Sequence, residues 1–488
     1  MSRSTSSPPR PSPAAQLARC RRLHQESLLR PDDFWRRETS ALAWRRAPEQ
    51  SFVGDFSEGD VSWFGDGELN ATVSCVDRHA AVTPEAAALV WLKSEGDVET
   101  FNYRSLRQQM CRMANVLLSH GVRPLDRIAL YLPVGAPLAV ALLACARVGA
   151  VPFCVPTQAD APWLRRALRV ARARLLVTAD EAELHGEKIP LWERADEALN
   201  GLGRVEAVLV HRRTGVRVPL AYARDHDLER ALALARPTCP PTWVRAEDAL
   251  LLAAAAGDET ARPVLHSTAG FLLCALLVQR EALGVRSGDR VLCLDDIRGP
   301  RVDVLFGTLA LGATLVLDER GSGLESLEAL QVTHLLGRAS DLHATPTRVE
   351  GRTTLLMDAP EGTAADVHGV WSSEAAGMLL AHWPGAGSTP LFGVDPVVLD
   401  ARGGAVLSGA AGELCSRTSW PAQPRTLESD HARFVDQRLR RFPGVYRTME
   451  RCQLLPEGLA WVGRAHEPAL VALSPSEAAP LSGPLSQA

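Results

Sequence analysis

The chain is predicted to be an α/β protein of layered sheets and helices, on three observations. From Leu106 to Thr178, segments with helical spacing alternate with short apolar runs, the order that a parallel sheet requires because each return between parallel strands needs a crossover. A further apolar run, Leu250 to Ala256, reads as a buried strand that reaches a turn at Gly257, the layout from which α/β proteins present a phosphate-binding loop. The 488 residues are 46% hydrophobic, enough for a large core in two or three subdomains.

Taken in order, Met1 to Arg22 is rich in Ser, Pro and Arg, has no acid before Glu26 and lacks an apolar secretory core. Residues 1–22 are expected to be a disordered tail, with a mitochondrial transit peptide as the alternative reading, against which the prolines count because they spoil an amphipathic helix. Leu23 to Trp44 reads as helical. Trp63 to His79 combines glycine turn signals with an amphipathic helix start. Ala88–Trp91 and Thr100–Tyr103 flank the turn residues Ser94–Asp97 as a hairpin would. Then come a helix over Leu106–His120, a strand over Arg127–Leu132, a helix over Pro137–Val148, a strand over Val151–Val155, a basic helix over Leu164–Arg172 and a strand over Leu175–Thr178. The Pro- and Gly-rich stretches Pro237–Pro241 and Ala359–Thr363 read as linkers at subdomain seams.

Composition excludes several classes. The formal net charge is −4 and no basic, aromatic-interleaved patch stands out, which argues against nucleic acid as a partner. The run Leu130–Val148 is broken by Pro133, Pro137 and Arg147, so no membrane segment is expected. The ten cysteines are never closer than nine residues apart, which excludes paired zinc-ligand spacing and suits reduced thiols in a cytoplasmic compartment. His334, His343, His368 and His382 have no metal-like spacing and read as surface or satisfied core residues. Of the 53 basic residues only Lys93 and Lys188 are lysines, and neither lies in a candidate site.

Several blocks then carry a resemblance. LAVALLACARVGAV (Leu138–Val151) with DRIALYLPVGAP before it, DGELN and CVDRH earlier, and SWPAQPRTLESDHARF (Ser419–Phe434) later follow the order and pattern of the AMP-forming acetyl-CoA synthetases, the acetate–CoA ligases. The chain resembles this family from Leu23 to Arg464. The resemblance implies the layered αβαβα large N-terminal domain of the adenylate-forming fold over residues 23–464. It also implies use of ATP or AMP, CoA and Mg²⁺: acetate attacks ATP to give acetyl-adenylate and pyrophosphate, and the CoA thiol then displaces AMP. After Arg464 only 24 residues remain. Residues 465–488 are expected to be a second disordered tail, and the small lid domain that carries the family's adenylation lysine is expected to be missing, supplied by another chain, or present in a longer isoform.

The resemblance also places site residues. Where the family carries TSGSTGKPKG, this chain reads AAGDETARP around Gly257, the residue placed at the nucleotide; Asp258 and Glu259 would each repel a triphosphate by roughly 1 kcal/mol or more. Read without the family, this stretch is an ordinary strand-to-helix turn with Asp258 as the helix N-cap. In GVWSSE (Gly369–Glu374), Trp371 falls at the tryptophan that closes the acyl pocket, Ser373 at a phosphate-contacting hydroxyl and Glu374 at the Mg²⁺-linked glutamate; by itself the stretch reads as a turn before a helix with a buried Trp. Glu450 stands at the aspartate that grips the ribose hydroxyls and Arg464 at an arginine that touches nucleotide oxygens. Glu450 read alone is a solvated glutamate at a strand edge. CoA contacts look eroded: PTQA (Pro156–Ala159) replaces an FGGF turn, and Ala167 and Leu184 replace cationic positions, with Arg165 and Arg166 adjacent. The adenine-contacting segment has no counterpart between His334 and Val370, and the acetate-pocket stretch after Cys293 reads LDDIRGPRVDV.

The expectation is a catalytically impaired relative of these ligases, a pseudoenzyme that acts by binding nucleotide or a protein partner. The alternative is a working ligase that makes acetyl-CoA from acetate, ATP and CoA.

Overall fold

The computed structural model describes residues 12–55, 59–184, 186–253, 262–294, 301–319, 327–338, 352–357, 365–372, 377–455 and 458–464. The expected C-terminal tail and the linker Ala359–Thr363 lie outside them. Two large sheets dominate. One has eight strands; six of these run parallel, from Asp225–Asp227 through Ala207–His211, Leu175–Ala179, Arg127–Tyr131 and Val151–Cys154 to Ala249–Ala253, and two antiparallel strands, Val264–Ser267 and Thr426–Leu427, follow. The other has nine strands, with Thr314–Asp318, Arg290–Cys293, His334–Arg338, Thr353–Met357 and Val367–Ser372 parallel at its centre. A four-stranded antiparallel sheet completes the layers: Pro396–Leu399, Ala411–Ser416, Tyr446–Leu455 and Gly458–Arg464.

The helices Ala136–Val148 and Thr268–Leu277 are almost wholly buried, and Tyr103–Ser119 buries one face. Ala136–Val148 is apolar all round, as a helix buried on every side must be, and Gly149 ends it in the left-handed conformation (φ 72°) that glycine adopts without a Cβ penalty. Its one charged residue, Arg147, is 1% exposed. The guanidinium is satisfied by Asp77, by Thr72 Oγ1 at 3.0 Å and by the Cys239 carbonyl at 2.9 and 2.6 Å, so the loop Pro237–Pro241 is pinned to the core. Asn70 plays a similar part, its Nδ2 donating to the carbonyls of Ala146 (2.9 Å) and Thr242 (2.6 Å).

The hairpin at Ser94–Asp97 and the alternating elements from Tyr103 to Ala179 form as expected, within a few residues at each end. Four readings need correction. The expected tail is helical from Pro13: Ser12 caps a helix, Pro13–Leu29, with proline in its first turn, and the Gln16 amide nitrogen donates to the Ala282 carbonyl at 2.8 Å. That helix, a second over Pro31–Thr39 and a strand over Trp44–Arg46 replace the single helix Leu23–Trp44. Among the described residues the strand Ala249–Ala253 is followed not by a helix but by its antiparallel partner Val264–Ser267, before the helix that starts at Thr268, while Gly257 and the expected cap Asp258 lie outside the described residues. GVWSSE is likewise not a turn before a helix, since Val367–Ser372 is a strand paired antiparallel with Gly377–Trp383.

Of the ten free cysteines nine are buried and Cys274 is half-buried. Burial pushes the thiols of Cys20, Cys75, Cys274, Cys415 and Cys452 up to about 12. His334 is a satisfied core residue, bonded to Thr333 Oγ1 at 2.9 Å and the Leu283 carbonyl at 3.2 Å; His368 and His382 are half-buried, and His343 lies outside the described residues. Among the described residues no helix is long and apolar enough to cross a membrane.

Candidate functional site

The site grows from the meeting of the nine-stranded and four-stranded sheets. The strand Val367–Ser372 carries Trp371 and has an irregular register between Val370 and Trp371. Trp371 is 2% exposed. Ser372 Oγ donates to the Thr448 carbonyl at 3.3 Å, which ties this strand to Tyr446–Leu455, the strand that holds Glu450. Met449 has a positive φ of 63°, and the register is broken beside it. Glu450 pairs in register with Arg464 on the neighbouring strand. The expected neighbours Trp371, Glu450 and Arg464 therefore sit on adjoining strands. Ser373, Glu374 and Gly257 lie outside the described residues, as does the Arg464 side chain.

Glu450 is not a solvated edge residue. It is 2% exposed, and its Oε2 accepts from the Trp461 indole N–H at 2.9 Å across the hairpin. A buried carboxylate needs such donors, and here one of them comes from the protein.

Two buried residues that sequence reasoning passed over lie at this place, and one of them packs on Trp371. Arg301 stands just before the helix Val302–Ala310, and its guanidinium carbon lies 5.0 Å from the Trp371 ring centroid, a cation–π distance. Asp303 follows in the first turn of that helix. Both are 2% exposed. Burial pushes the Asp303 carboxyl up to about 8, with the Arg301 charge pulling the other way. The signal was present in the sequence: Asp303 is the one charged residue in the otherwise apolar VDVLFGTLA, and a lone acid in a helix buried on all sides is a group with a task or a cost.

Of the residues at the positions expected to meet CoA, Arg166 is exposed beside Ala167. Ala167 is fully buried in the helix Ala161–Val170, the Leu184 side chain lies outside the described residues, and Arg165 caps the end of the helix Leu191–Leu199 through the Asn200 and Glu197 carbonyls. In the PTQA stretch the Thr157 and Ala159 carbonyls accept from the Tyr131 hydroxyl at 3.3 and 2.7 Å. Among the described residues no group of three or more His, Cys, Asp or Glu side chains could hold a metal ion.

Layered α/β sheets of this order, closed by a small antiparallel sheet, define the large domain of the adenylate-forming enzymes, and the comparisons agree. The AMP-binding enzyme model matches residues 76–338, and the acetyl-coenzyme A synthetase N-terminus model matches residues 20–75. The acetyl-coenzyme A synthetase of Syntrophus aciditrophicus is 31% identical over 91% of this chain and 75% of its own length. That of Xanthomonas campestris is 32% identical over 90% and 75%. The solved acetoacetyl-CoA synthetase from Streptomyces lividans shares the fold, with a TM-score of 0.81 at 20% identity over 91% of this chain and 74% of that one. The chain belongs to the acetyl-coenzyme A synthetase family.

Proposed function

We propose that this protein is a catalytically impaired member of its family, acting through a bound nucleotide or a protein partner rather than by turning over acetate, in a cytoplasmic setting that suits its reduced thiols. One observation carries the reading: the Trp371 ring, expected to close the acyl pocket against a methyl group, is instead stacked by Arg301 with Asp303 beside it, all three buried. A guanidinium against the indole face competes for the surface an acetyl methyl would use, and it brings a charge into a pocket whose selectivity rests on apolar contact.

The described residues fit the implied cofactors poorly. Glu450 already accepts from Trp461 and is shielded from solvent, and in the sequence Asp258 and Glu259 stand where the family carries its phosphate-cradling loop. Electrostatic stabilisation of a polyanion needs donors and cations positioned in advance. Arg165, one of the two arginines beside the CoA phosphate position, is engaged with helix-end carbonyls.

A working acetate–CoA ligase remains the second reading, favoured by the Ser372–Thr448 bond that holds the strands of Trp371 and Glu450 together. Acetate-dependent exchange of labelled pyrophosphate into ATP separates the two. The expected result is no exchange above that of a heat-denatured control. Exchange abolished by Glu374→Ala would overturn the impaired reading, while ATP or AMP binding without exchange would make the protein a nucleotide sensor.

A further inference from the structure

A second site lies on the far flank of the nine-stranded sheet. Between the four-stranded sheet and this sheet's strands Val367–Ser372, Gly377–Trp383 and Gly387–Pro390 is a cavity of about 880 Å³, within the span of roughly 300–1,000 Å³ usual for small-molecule sites.

The sheet supplies one wall. His368, His382 and Ser388 are register partners across three successive strands, and so are Val370, Leu380 and Pro390; all six line the cavity. The four-stranded sheet supplies the opposite wall, with Leu459, Trp461 and Val398. The walls meet at Gly458, where a Cβ would lie 2.9 Å from the Ser388 side chain, so the space is closed at that end. Trp371 is not among the lining residues, which makes this cavity separate from the acyl position.

Its chemistry is one-sided. The lining is mostly apolar, and the ionisable groups on it are His368, His382 and Arg417, with no carboxylate among the described lining residues. The two imidazole rings meet edge to face at 5.9 Å, and His382 Nδ1 shares a 2.8 Å hydrogen bond with Ser388 Oγ. Arg417 is half-exposed at the rim, its Nη1 3.6 Å from Asp395, a distance at which a pair near the surface holds loosely. Arg417 Nη1 also donates to the Pro396 carbonyl at 3.4 Å, and an apolar chamber with one loosely paired arginine at its rim complements a ligand with an aliphatic body and a negative head.

We propose that this cavity binds an amphiphilic small molecule of that kind, with the chemistry of a medium-chain carboxylate. The cavity touches the candidate nucleotide site only through Trp461, whose ring lines it and whose indole N–H bonds Glu450.

The test is calorimetric titration of the full chain with three probes of one chain length, below their micelle-forming concentrations: dodecanoate, dodecanol and dodecyltrimethylammonium. Dodecanoate is expected to bind, dodecanol about tenfold more weakly and the ammonium compound not at all. Val406→Trp, which fills the half-buried side of the cavity, should weaken dodecanoate by about tenfold or more. Arg417→Glu should weaken dodecanoate and leave dodecanol unchanged. Circular dichroism and thermal unfolding establish that both variants fold, and Arg417→Glu, at an exposed position, keeps the test valid should Val406→Trp fail to fold. Absence of dodecanoate binding up to about 1 mM, equal binding of the cationic probe, or unchanged binding by both folded variants would overturn the proposal. The probes carry no phosphate, so failure of the nucleotide reading leaves this result standing.

Discussion

The guanidinium of Arg301 stacks on the indole of Trp371, 5.0 Å from guanidinium carbon to ring centroid, and the next charged residue along the chain, Asp303, is buried with it. Arg301 is thus the counter-charge that makes a buried carboxylate tolerable at this point. Arg301→Ala removes the charge that holds the Asp303 carboxyl down, so it is expected to leave that group neutral at pH 8 as well as at pH 5. The stability loss, about 1–3 kcal/mol from the lost contact with Trp371, should therefore be similar at the two pH values, and urea unfolding at both checks it.

Asp303 gives the complementary prediction. Its folded value of about 8 lies above the ordinary 3.8, so between those limits the folded state binds more protons than the unfolded one. Stability should therefore be highest near pH 4, as far as this group is concerned, and fall as pH rises towards 8. Asp303→Asn removes the dependence, and is expected to be more stable than the parent by about 1–3 kcal/mol at pH 8 and nearly equal to it near pH 4.

Buried Glu450 and half-buried Trp461 form the second pair of the site. Trp461→Phe keeps the ring and removes the donor, leaving the carboxylate one hydrogen bond short at a cost of about 1–3 kcal/mol. If Glu450 also held a ribose, the variant would bind nucleotide more tightly than the parent, its carboxylate being released for the ligand. A structural role predicts the stability loss alone, and titration with AMP distinguishes the two.

Much of the fold was legible because its strongest signals are periodic. The helices Tyr103–Ser119 and Ala136–Val148 and the strands between them bury regular faces, and hydrophobic spacing reports that directly. The misread segments carry short or local signals. Pro13 announced a helix start with Ser12 as its cap, but the bias of the flanking residues towards Ser, Pro and Arg outweighed it. Val264–Ser267 is too short to show alternation, and its strand character comes from pairing with Ala249–Ala253 and Thr426–Leu427. Glu450 looked solvated because sequence cannot say which glutamate will find an indole N–H across a hairpin. Arg301 and Asp303 were missed for the same reason: pattern marks charge, and only packing decides that both are enclosed.

The close approach of Gly270 to Pro421 gives a sharper stability test. A Cβ on Gly270 would lie 1.8 Å from the Pro421 carbonyl oxygen, a backbone atom that cannot turn aside. Pro421 belongs to the SWPAQPRTLESDHARF block, and the neighbouring Arg425 of that block pairs with Glu247 at 2.7 Å. Gly270→Ala is expected to cost more than about 3 kcal/mol, against the small gain that alanine brings to an unhindered helix, read as a fall in melting temperature or loss of soluble protein.

The enclosed cysteines make the protein a gauge of its own opening. A thiol held near 12 offers almost no thiolate at neutral pH, so an alkylating reagent should leave the folded chain nearly unmodified and mark it only as each layer comes apart. Mapping which cysteines react first under mild denaturant would order the release of the helix that carries Cys20, the inter-sheet helix that carries Cys145 and the hairpin that carries Cys452, without any added probe.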